Sequence, residues 1–353
     1  MKEFFIGSNE AGKRFDKYLF IILSNSSSGF IHKMLRKKNI TLNDKTAEGN
    51  EKLNIGDSVK FYLSDETFEK FADPKVLKLI STENKPQETI KESLVEDTDL
   101  TYAFKEITLK YNPEVIYEDD NVLFVNKPAG LLSQKAQPRD ISINEWLVGY
   151  LLEKGSIDQK QLVTFKPSIC NRLDRNTSGI VICSKSLPGA QKMNEMLKER
   201  TLHKYYRTIV KGIIEKEETF DGYLYKDEKN NKVEILPFEK EGSFHIVTRY
   251  IPIKHNKNMN LTYIEVELIT GKSHQIRAHL SSMGHPLIGD TKYGSIKFNT
   301  RFKKEYGLKY QLLHGYRLEF PEMEPLFADL SGKKIIAKLP EVFNRILEDN
   351  DLN

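Results

Sequence analysis

Cysteine and tryptophan are scarce in this sequence: its 353 residues contain two thiols, Cys170 and Cys183, and one indole, Trp146. Two cysteines cannot build a disulfide framework or a cysteine-rich metal site. Long apolar runs are missing as well, and none approaches the ~18 residues that suggest a membrane helix. The opening Met-Lys-Glu-Phe-Phe-Ile-Gly carries an apolar run too short for a secretory leader. A charge excess of one sign is also lacking, since 54 Lys and Arg face 50 Asp and Glu for a net charge of +4. These absences exclude a secreted disulfide scaffold and a membrane-spanning helical protein. They place the chain in a reducing cytoplasm.

What is present is unevenly spread. Residues 11–62 hold ten Lys and Arg against five acidic residues, whereas residues 65–110 hold eleven acidic residues against seven basic ones. A basic head followed by an acidic stretch suggests a head that meets a polyanion. The length predicts two domains or more. In the head, Phe15, Tyr18, Leu19 and Ile22 recur at helical spacing. A serine-rich turn ending at Ser28 leads into a second helix over roughly 29–38, whose Phe30, Ile31, Met34 and Leu35 oppose His32, Lys33, Arg36 and Lys37. Residues 40–45 read as a strand entering a turn, and Asn54 to Phe61 as a turn feeding an alternating strand. This order, closing on Gly56-Asp57-Ser58-Val59-Lys60-Phe61, resembles the S4 (αL-type) RNA-binding domain. The resemblance implies that Lys33, Arg36, Lys37 and Lys38 face RNA phosphates.

The organisation expected is an S4-like domain over residues 1–64, an acidic and flexible linker over 65–112, a catalytic domain over 113–340 and a tail over 341–353. Polar, acidic Glu83 to Asp99, with Pro86, is the least structured part of that linker. From Val115 the texture changes. Buried-strand runs at 122–125 and 180–183, an amphipathic helix with Ala190, Met193 and Met196, and alternating strands at 205–211 and 263–268 lack regular βαβ spacing. They indicate an α+β fold on a mixed, largely antiparallel sheet.

The most informative segment is Asn171-Arg172-Leu173-Asp174-Arg175-Asn176-Thr177-Ser178-Gly179, set directly before an apolar strand. A carboxylate on a tight polar loop at a strand entrance is exposed yet stiffly held, as a nucleophile or general base must be. By itself such an Asp is more often a turn former. However, Arg-Leu-Asp-Arg-Asn-Thr-Ser-Gly resembles the catalytic motif of pseudouridine synthases of the RluA type. Four further segments resemble that family in order: 125–133 (VNKPAGLLS), 204–212 (KYYRTIVKG), 270–294 (TGKSHQIRAHLSSMGHPLIGDTKYG) and 312–320 (LLHGYRLEF). Asn171 stands where the family usually has His, and Lys272 and Ser273 where Arg and Thr are commoner. The wording of the segments and the S4-like head are most similar to the RluC-like subgroup, which acts on large-subunit (23S) ribosomal RNA.

The resemblance implies an RNA-modifying isomerase that detaches uracil from C1′ through N1 and rejoins it through C5. Asp174 is then the catalytic group, Arg277 its ionic partner and Tyr206 the ring against the base. Arg172 would fill the space left by an extruded nucleotide, with Lys127 and Lys272 further RNA contacts. Tyr205 points to the opposite strand face. Ser273 is placed to cap a helix whose Ile276, Leu280 and Met283 form an apolar stripe ended by Gly284. No cofactor is implied, because the isomerisation is redox-neutral. Gly284 to Thr291 reads G-x-x-x-x-G-D-T and mimics a phosphate-binding G-x-x-x-x-G-K-[ST] loop, but Asp290 occupies the lysine's place and would repel phosphate. No metal is implied, since His274 and His279 do not share a helix face. RNA is the expected partner, no membrane is involved, and the chain is expected to act as a monomer. Two rival readings are a catalytically inactive RNA-binding protein of the same fold and a hydrolase acting at a sugar C1. The first is opposed by the intact Asp174, Tyr206 and Arg277 set, the second by the lack of a partner acid.

Overall fold

The computed structural model describes residues 1–7, 9–83, 95–227 and 232–353. The N-terminal unit opens with β1 (Lys2–Phe5), α1 (Phe15–Ile22), α2 (Ser28–Arg36), β2 (Ile40–Leu42) and β3 (Ser58–Phe61). The strands form an antiparallel sheet in the order β1-β3-β2. Ser27, one residue earlier than expected, caps α2 by accepting the Phe30 N–H. Phe15, Leu19, Ile22, Ile31 and Leu35 from the helices meet Ile40, Val59 and Phe61 from the sheet in one buried core.

That core does not stop at residue 64. Helices α3 (Asp65–Phe71) and α4 (Pro74–Glu83) come next, and Phe68, Ala72 and Val76 are buried in the same cluster. Phe68 meets Phe61 edge-on at 5.5 Å. Helix α5 (Val95–Tyr111) then packs on the larger, C-terminal unit. Ile107 is fully buried there, and Phe104 lies 6.0 Å from Trp146, whose indole N–H donates to Thr108. The expected flexible linker is therefore helical over its described parts. Its few apolar residues recur at helical spacing (Leu100, Ala103, Ile107, Tyr111), a stripe that net acidity conceals. Residues 84–94, the centre of the expected connector, lie outside the described residues.

The larger unit continues with β4 (Glu114–Glu118), β5 (Val122–Lys127), α6 (Ile143–Glu153), α7 (Gln159–Thr164), β6 (Ser168–Ile169), β7 (Ser178–Ser184), α8 (Leu187–Glu199), β8 (His203–Lys211), β9 (Glu218–Asp227), β10 (Lys232–Leu236), β11 (Ser243–Asn256) and β12 (Leu261–Leu268). It closes with α9 (Gln275–Ser282), α10 (Ile296–Tyr306), β13 (Leu313–Glu319), a 3-10 turn at Pro325–Leu330, β14 (Lys334–Ile336) and α11 (Glu341–Asp349). One sheet runs β10-β9-β11-β12-β8-β13-β7-β5-β4, with β14 added to β13 and β6 to β7. Every pairing between these strands is antiparallel except β13 with β7. The α+β, largely antiparallel expectation is met. The expected tail is not a tail: Phe343, Ile346, Leu347 and Leu352 are buried with Tyr263, Phe302 and Tyr306. Their spacing is that of one helix face.

The two units touch at α7. The Lys13 ammonium donates to the Thr164 carbonyl at 2.6 Å, Thr164 bonds Glu10, and Val163 packs on the N-terminal core. At the start of α8 the Leu187 N–H donates to Asn9.

Strand β7 anchors the segment that bears Asp174. Along one edge it pairs first with β13, at Ser178 and Gly179, and then with β6, at Cys183 and Ser184. Its other edge is filled by β5. Gly179 has φ +115°, and a Cβ there would lie 2.3 Å from the Gly315 backbone. Gly179→Ala is therefore expected to cost roughly 3 kcal/mol or more, seen as a Tm loss of several degrees in calorimetry. Gly315→Ala is expected to be mild, since its Cβ would meet nothing nearer than 3.4 Å. Equal losses from the two would contradict this account of the strand crossing.

Candidate active site

The loop 170–177 leaves the sheet where β6 ends and returns where β7 begins. Between the β6 and β13 pairings, β7 exposes backbone groups at residues 180–182. Asn171 supplies the partners: its side-chain oxygen accepts the Ile182 N–H at 2.7 Å, and its amide reaches the Ile180 carbonyl at 3.4 Å. The Cys170 N–H adds a bond to the Ile182 carbonyl. An Asn where the related segment usually has His thus completes an interrupted strand edge, consistent with the rule that buried backbone groups find partners.

The far side of the loop is held equally firmly. The Ser133 hydroxyl donates to the Leu173 carbonyl at 2.8 Å and accepts the Leu173 N–H at 3.0 Å. The Thr177 N–H donates to the Asp174 carbonyl, and Gln311 donates to the Thr177 hydroxyl. Lys127 is fully buried, and its ammonium donates to the carbonyls of Pro128, Leu131 and Arg175. It cannot be the RNA contact expected from the sequence: its amine is committed to the loop's backbone. Burial lowers its pKa to about 7, with Asp174 pulling the other way. Three carbonyl acceptors require three N–H donors, which only the ammonium form has.

Asp174 itself is about one-third exposed and lines a cavity of about 670 Å³. Arg277 approaches it from α9, with Nη1 donating to Oδ2 at 3.0 Å. The remaining guanidinium edge is bidentate to Asp290, Nε to Oδ2 at 2.7 Å and Nη2 to Oδ1 at 3.0 Å. Asp290 is fully buried and also accepts the backbone N–H groups of Lys292 and Tyr293. Burial raises its pKa, but Arg277 and those N–H groups outweigh it and hold the carboxyl below the usual range. The residue that spoils a phosphate loop in the sequence is the anchor that orients Arg277.

Helix α9 begins later than the sequence suggests. Its cap is His274, in left-handed backbone with φ 59°, and Ser273 makes no cap. The Gln275 side chain closes the preceding turn instead, accepting the Lys272 N–H and the Thr270 hydroxyl and donating to Thr248. His274 is thereby turned into the site, with Nδ1 2.9 Å from the Tyr293 hydroxyl and Nε2 3.7 Å from Asp174. Burial lowers its pKa, and Asp174 opposes that.

Tyr206, on β8, completes the wall. It is 9% exposed and lines the same cavity. Burial and then Asp174 push its phenol pKa well up, so it is neutral near pH 7. Tyr205 lies on the other face under Arg317, 4.1 Å from ring centre to guanidinium. The structure thus brings Asp174, Tyr206 and Arg277 into one cavity, with Arg172 and Lys272 exposed on its lining. Lys33, Arg36, Lys37 and Lys38 lie elsewhere, exposed on the N-terminal unit. Sequence reasoning missed His274, Asp290 and Ser133 as site residues. All three lie inside segments that it had singled out.

Three comparisons bear on this geometry. Residues 121–282 match the family described as RNA pseudouridylate synthase. The ribosomal large subunit pseudouridine synthase C of Rickettsia bellii is 31% identical over 335 residues, 94% of this chain and 96% of that protein. The protein of the same description from Vibrio cholerae is 26% identical over 89% of this chain and 87% of its own length. Among solved structures, human RNA pseudouridylate synthase domain containing 4 matches with a TM-score of 0.54 at 20% identity. That match covers 72% of this chain and 97% of the human one, and it shows a shared fold.

The buried groups around the loop can be tested directly. Asp290 has its pKa depressed in the fold, so it stabilises at neutral pH, and that contribution is lost as pH falls from 3.8 toward its lower folded value. Asp290→Asn should cost roughly 3 kcal/mol or more at pH 7, since it leaves a buried guanidinium half-paired. The deficit should shrink on acidification, read as converging unfolding midpoints in urea. Lys127→Met should cost about 2 kcal/mol or more, because it orphans three carbonyls. It should also speed proteolysis within 170–177 in limited digests, and undiminished protection would show that the amine does not hold the loop.

Proposed function

The chain belongs to the RNA pseudouridine synthase family, and from that premise we propose that its substrate is large-subunit (23S) ribosomal RNA and its catalytic group Asp174. The protein is an RNA-modifying isomerase. The observation that carries the residue assignment is the chain of contacts Asp174–Arg277–Asp290 along the wall of a cavity that also holds Tyr206. A guanidinium fixed by a buried carboxylate holds the Asp174 carboxylate in one orientation through a charge-assisted hydrogen bond. The reaction breaks N1–C1′, forms C5–C1′, and moves the C5 proton off carbon while N1 gains one. Asp174 meets the sugar, either as nucleophile at C1′ or as base.

Tyr206 serves as the platform for the uracil ring. Its phenol is neutral in the resting site, so there it acts as a wall and hydrogen-bond donor, and its oxygen can assist removal of the C5 proton. Arg172, exposed at the cavity's edge, suits the space vacated by an extruded nucleotide. Lys272, stacked over Phe244 at 4.4 Å, suits a backbone phosphate.

The S4 reading of the N-terminal unit belongs to this proposal. Lys33, Arg36, Lys37 and Lys38 are exposed and make no ion pair with any described residue, which leaves them free for phosphates. The contacts at α7 make this unit a docked arm, not a tethered one. The chemistry is redox-neutral and consumes no donor, so no cofactor is called for. On this reading the enzyme works as a cytoplasmic monomer. Its ribosomal target is supported by what the Rickettsia bellii and Vibrio cholerae relatives are said to act on.

The deciding measurement is tritium release from [5-³H]uridine-labelled ribosomal RNA. Wild type should release tritium, and Asp174→Asn should be slower by roughly three orders of magnitude or more, with RNA binding retained. Release by the Asn variant at the wild-type rate would remove Asp174 from the chemistry.

A further inference from the structure

Among the described residues that line its cavity, Asp174 is the sole acid, against seven Lys and Arg side chains. Arg277 is spoken for. Of the others, Lys204 differs from the rest in being nine-tenths buried. It makes no hydrogen bond or ion pair with any described residue. Lys135, Arg172, Lys198 and Arg200 are likewise unpaired among the described residues, but they are exposed and hydrated.

Its Nζ is not fully buried, so burial falls mainly on the stem while the ammonium reaches the cavity. A partly desolvated charge with no counterion is still costly. The surroundings of Lys204 do not relieve that cost. Burial lowers its pKa, the charge of Arg200 lowers it further, and Glu267 pulls only partly the other way. Glu267 is itself engaged by His203 at 2.8 Å and Arg249 at 3.4 Å. The site therefore holds two cations, Lys204 and Arg200, close enough to repel, with no resident anion between them.

Position gives the missing anion a chemical identity. Lys204 and Tyr206 are two residues apart on β8, so both side chains leave the same strand face and line the same cavity. They are separated along the strand by roughly 6.6–6.8 Å. A nucleotide whose base lies against Tyr206 would carry its backbone to one side of that ring. We propose that Lys204 and Arg200 form a phosphate subsite that binds a phosphodiester of the RNA strand next to the nucleotide held at Asp174. This rests on the reading of the cavity as the synthase site, and it assigns that cavity a polarity. One wall takes the base and the reacting sugar, and the Lys204 wall takes the backbone.

The subsite makes a prediction that a structural lysine would not share. Lys204→Met removes a partly desolvated, unpaired charge and keeps the apolar stem, so Tm should hold or rise. Binding should weaken, because the phosphate loses its charge-assisted partner. The experiment is filter binding of a transcribed large-subunit ribosomal RNA fragment at several salt concentrations, beside calorimetric Tm, for wild type, Lys204→Met, Arg200→Gln and Lys303→Met. Lys204→Met should raise Kd about ten-fold or more at low salt and flatten the log Kd against log salt slope by roughly 0.7 to 0.9. Arg200→Gln, at an exposed position, should also raise Kd with its fold intact. Lys303→Met, on exposed α10, should change neither quantity. A wild-type Kd and salt slope for Lys204→Met would overturn the subsite, as would a fall in Tm, which would show that the amine supports the fold. Because binding is read without turnover, these outcomes stay distinct from a wild-type enzyme that binds RNA but releases no tritium, which would overturn the proposed reaction instead.

Discussion

Strand β7 has two successive partners along one edge, and the interval between them is where the loop bearing Asp174 must stand away from the sheet. A continuous partner strand would leave no room for residues 170–177. A missing partner would leave the Ile180 carbonyl and the Ile182 N–H unsatisfied. Asn171 resolves both demands with one side chain. The β13 pairing sets the other end, where Gly179 touches the Gly315 backbone as no residue with a Cβ could. The position of Asp174 is thus a by-product of sheet topology, refined by hydrogen bonds from Ser133, Lys127 and Thr177. This is the support that a reactive group needs: rigid elements at each end and fixed backbone between.

A second constraint is electrostatic. Arg277 lies between a partly exposed carboxylate and a fully buried one. The buried pair with Asp290 adds little stability over an apolar replacement but is expensive to break. Its use is directional. With both Nε and Nη2 committed to Asp290, Nη1 points at Asp174 without having to be reoriented. A lysine could supply the charge but not this division of donors. The cavity then divides into two territories, a fixed anion with its guanidinium at one end and a surplus of unpaired cations around the rest.

Much of this was legible in the sequence where residue identity and order carried the signal. The segment 171–179, Tyr206 and Arg277 stand out because their neighbours form ordered, recognisable motifs, and the strand alternation around Tyr206 separates it correctly from Tyr205. What failed to show were features that depend on where a side chain ends. Lys127 reads as a surface lysine because lysines usually are exposed, yet the turn after β5 brings two carbonyls to its amine and the loop bearing Asp174 brings a third. Asp290 was legible only as a flaw in a phosphate loop, because its partner lies thirteen residues away on a helix whose start was misplaced by the left-handed backbone of His274. The helices of 65–71 and 95–111 were hidden by acidity, which describes their solvent face and not the apolar residues beneath. The same holds for α11, whose Phe343, Ile346 and Leu347 lock it into the core.

The crossing of β13 and β7 also dictates when, during synthesis, this protein can become an enzyme. Ser178 and His314, hydrogen bonded across the parallel pairing, are 136 residues apart in sequence. A contact of such separation forms only after its loop-closure entropy has been met, and long-range strand pairings of this kind are slow to form. On a ribosome adding about 5–20 residues per second, the loop bearing Asp174 is made well before the strand that fixes it. Through that interval the nascent chain can build the N-terminal unit, whose core draws on contiguous residues, but not a working cavity. A folded N-terminal unit can therefore precede a complete cavity in the life of each molecule, and the cavity closes only when residues 313–315 have left the exit tunnel.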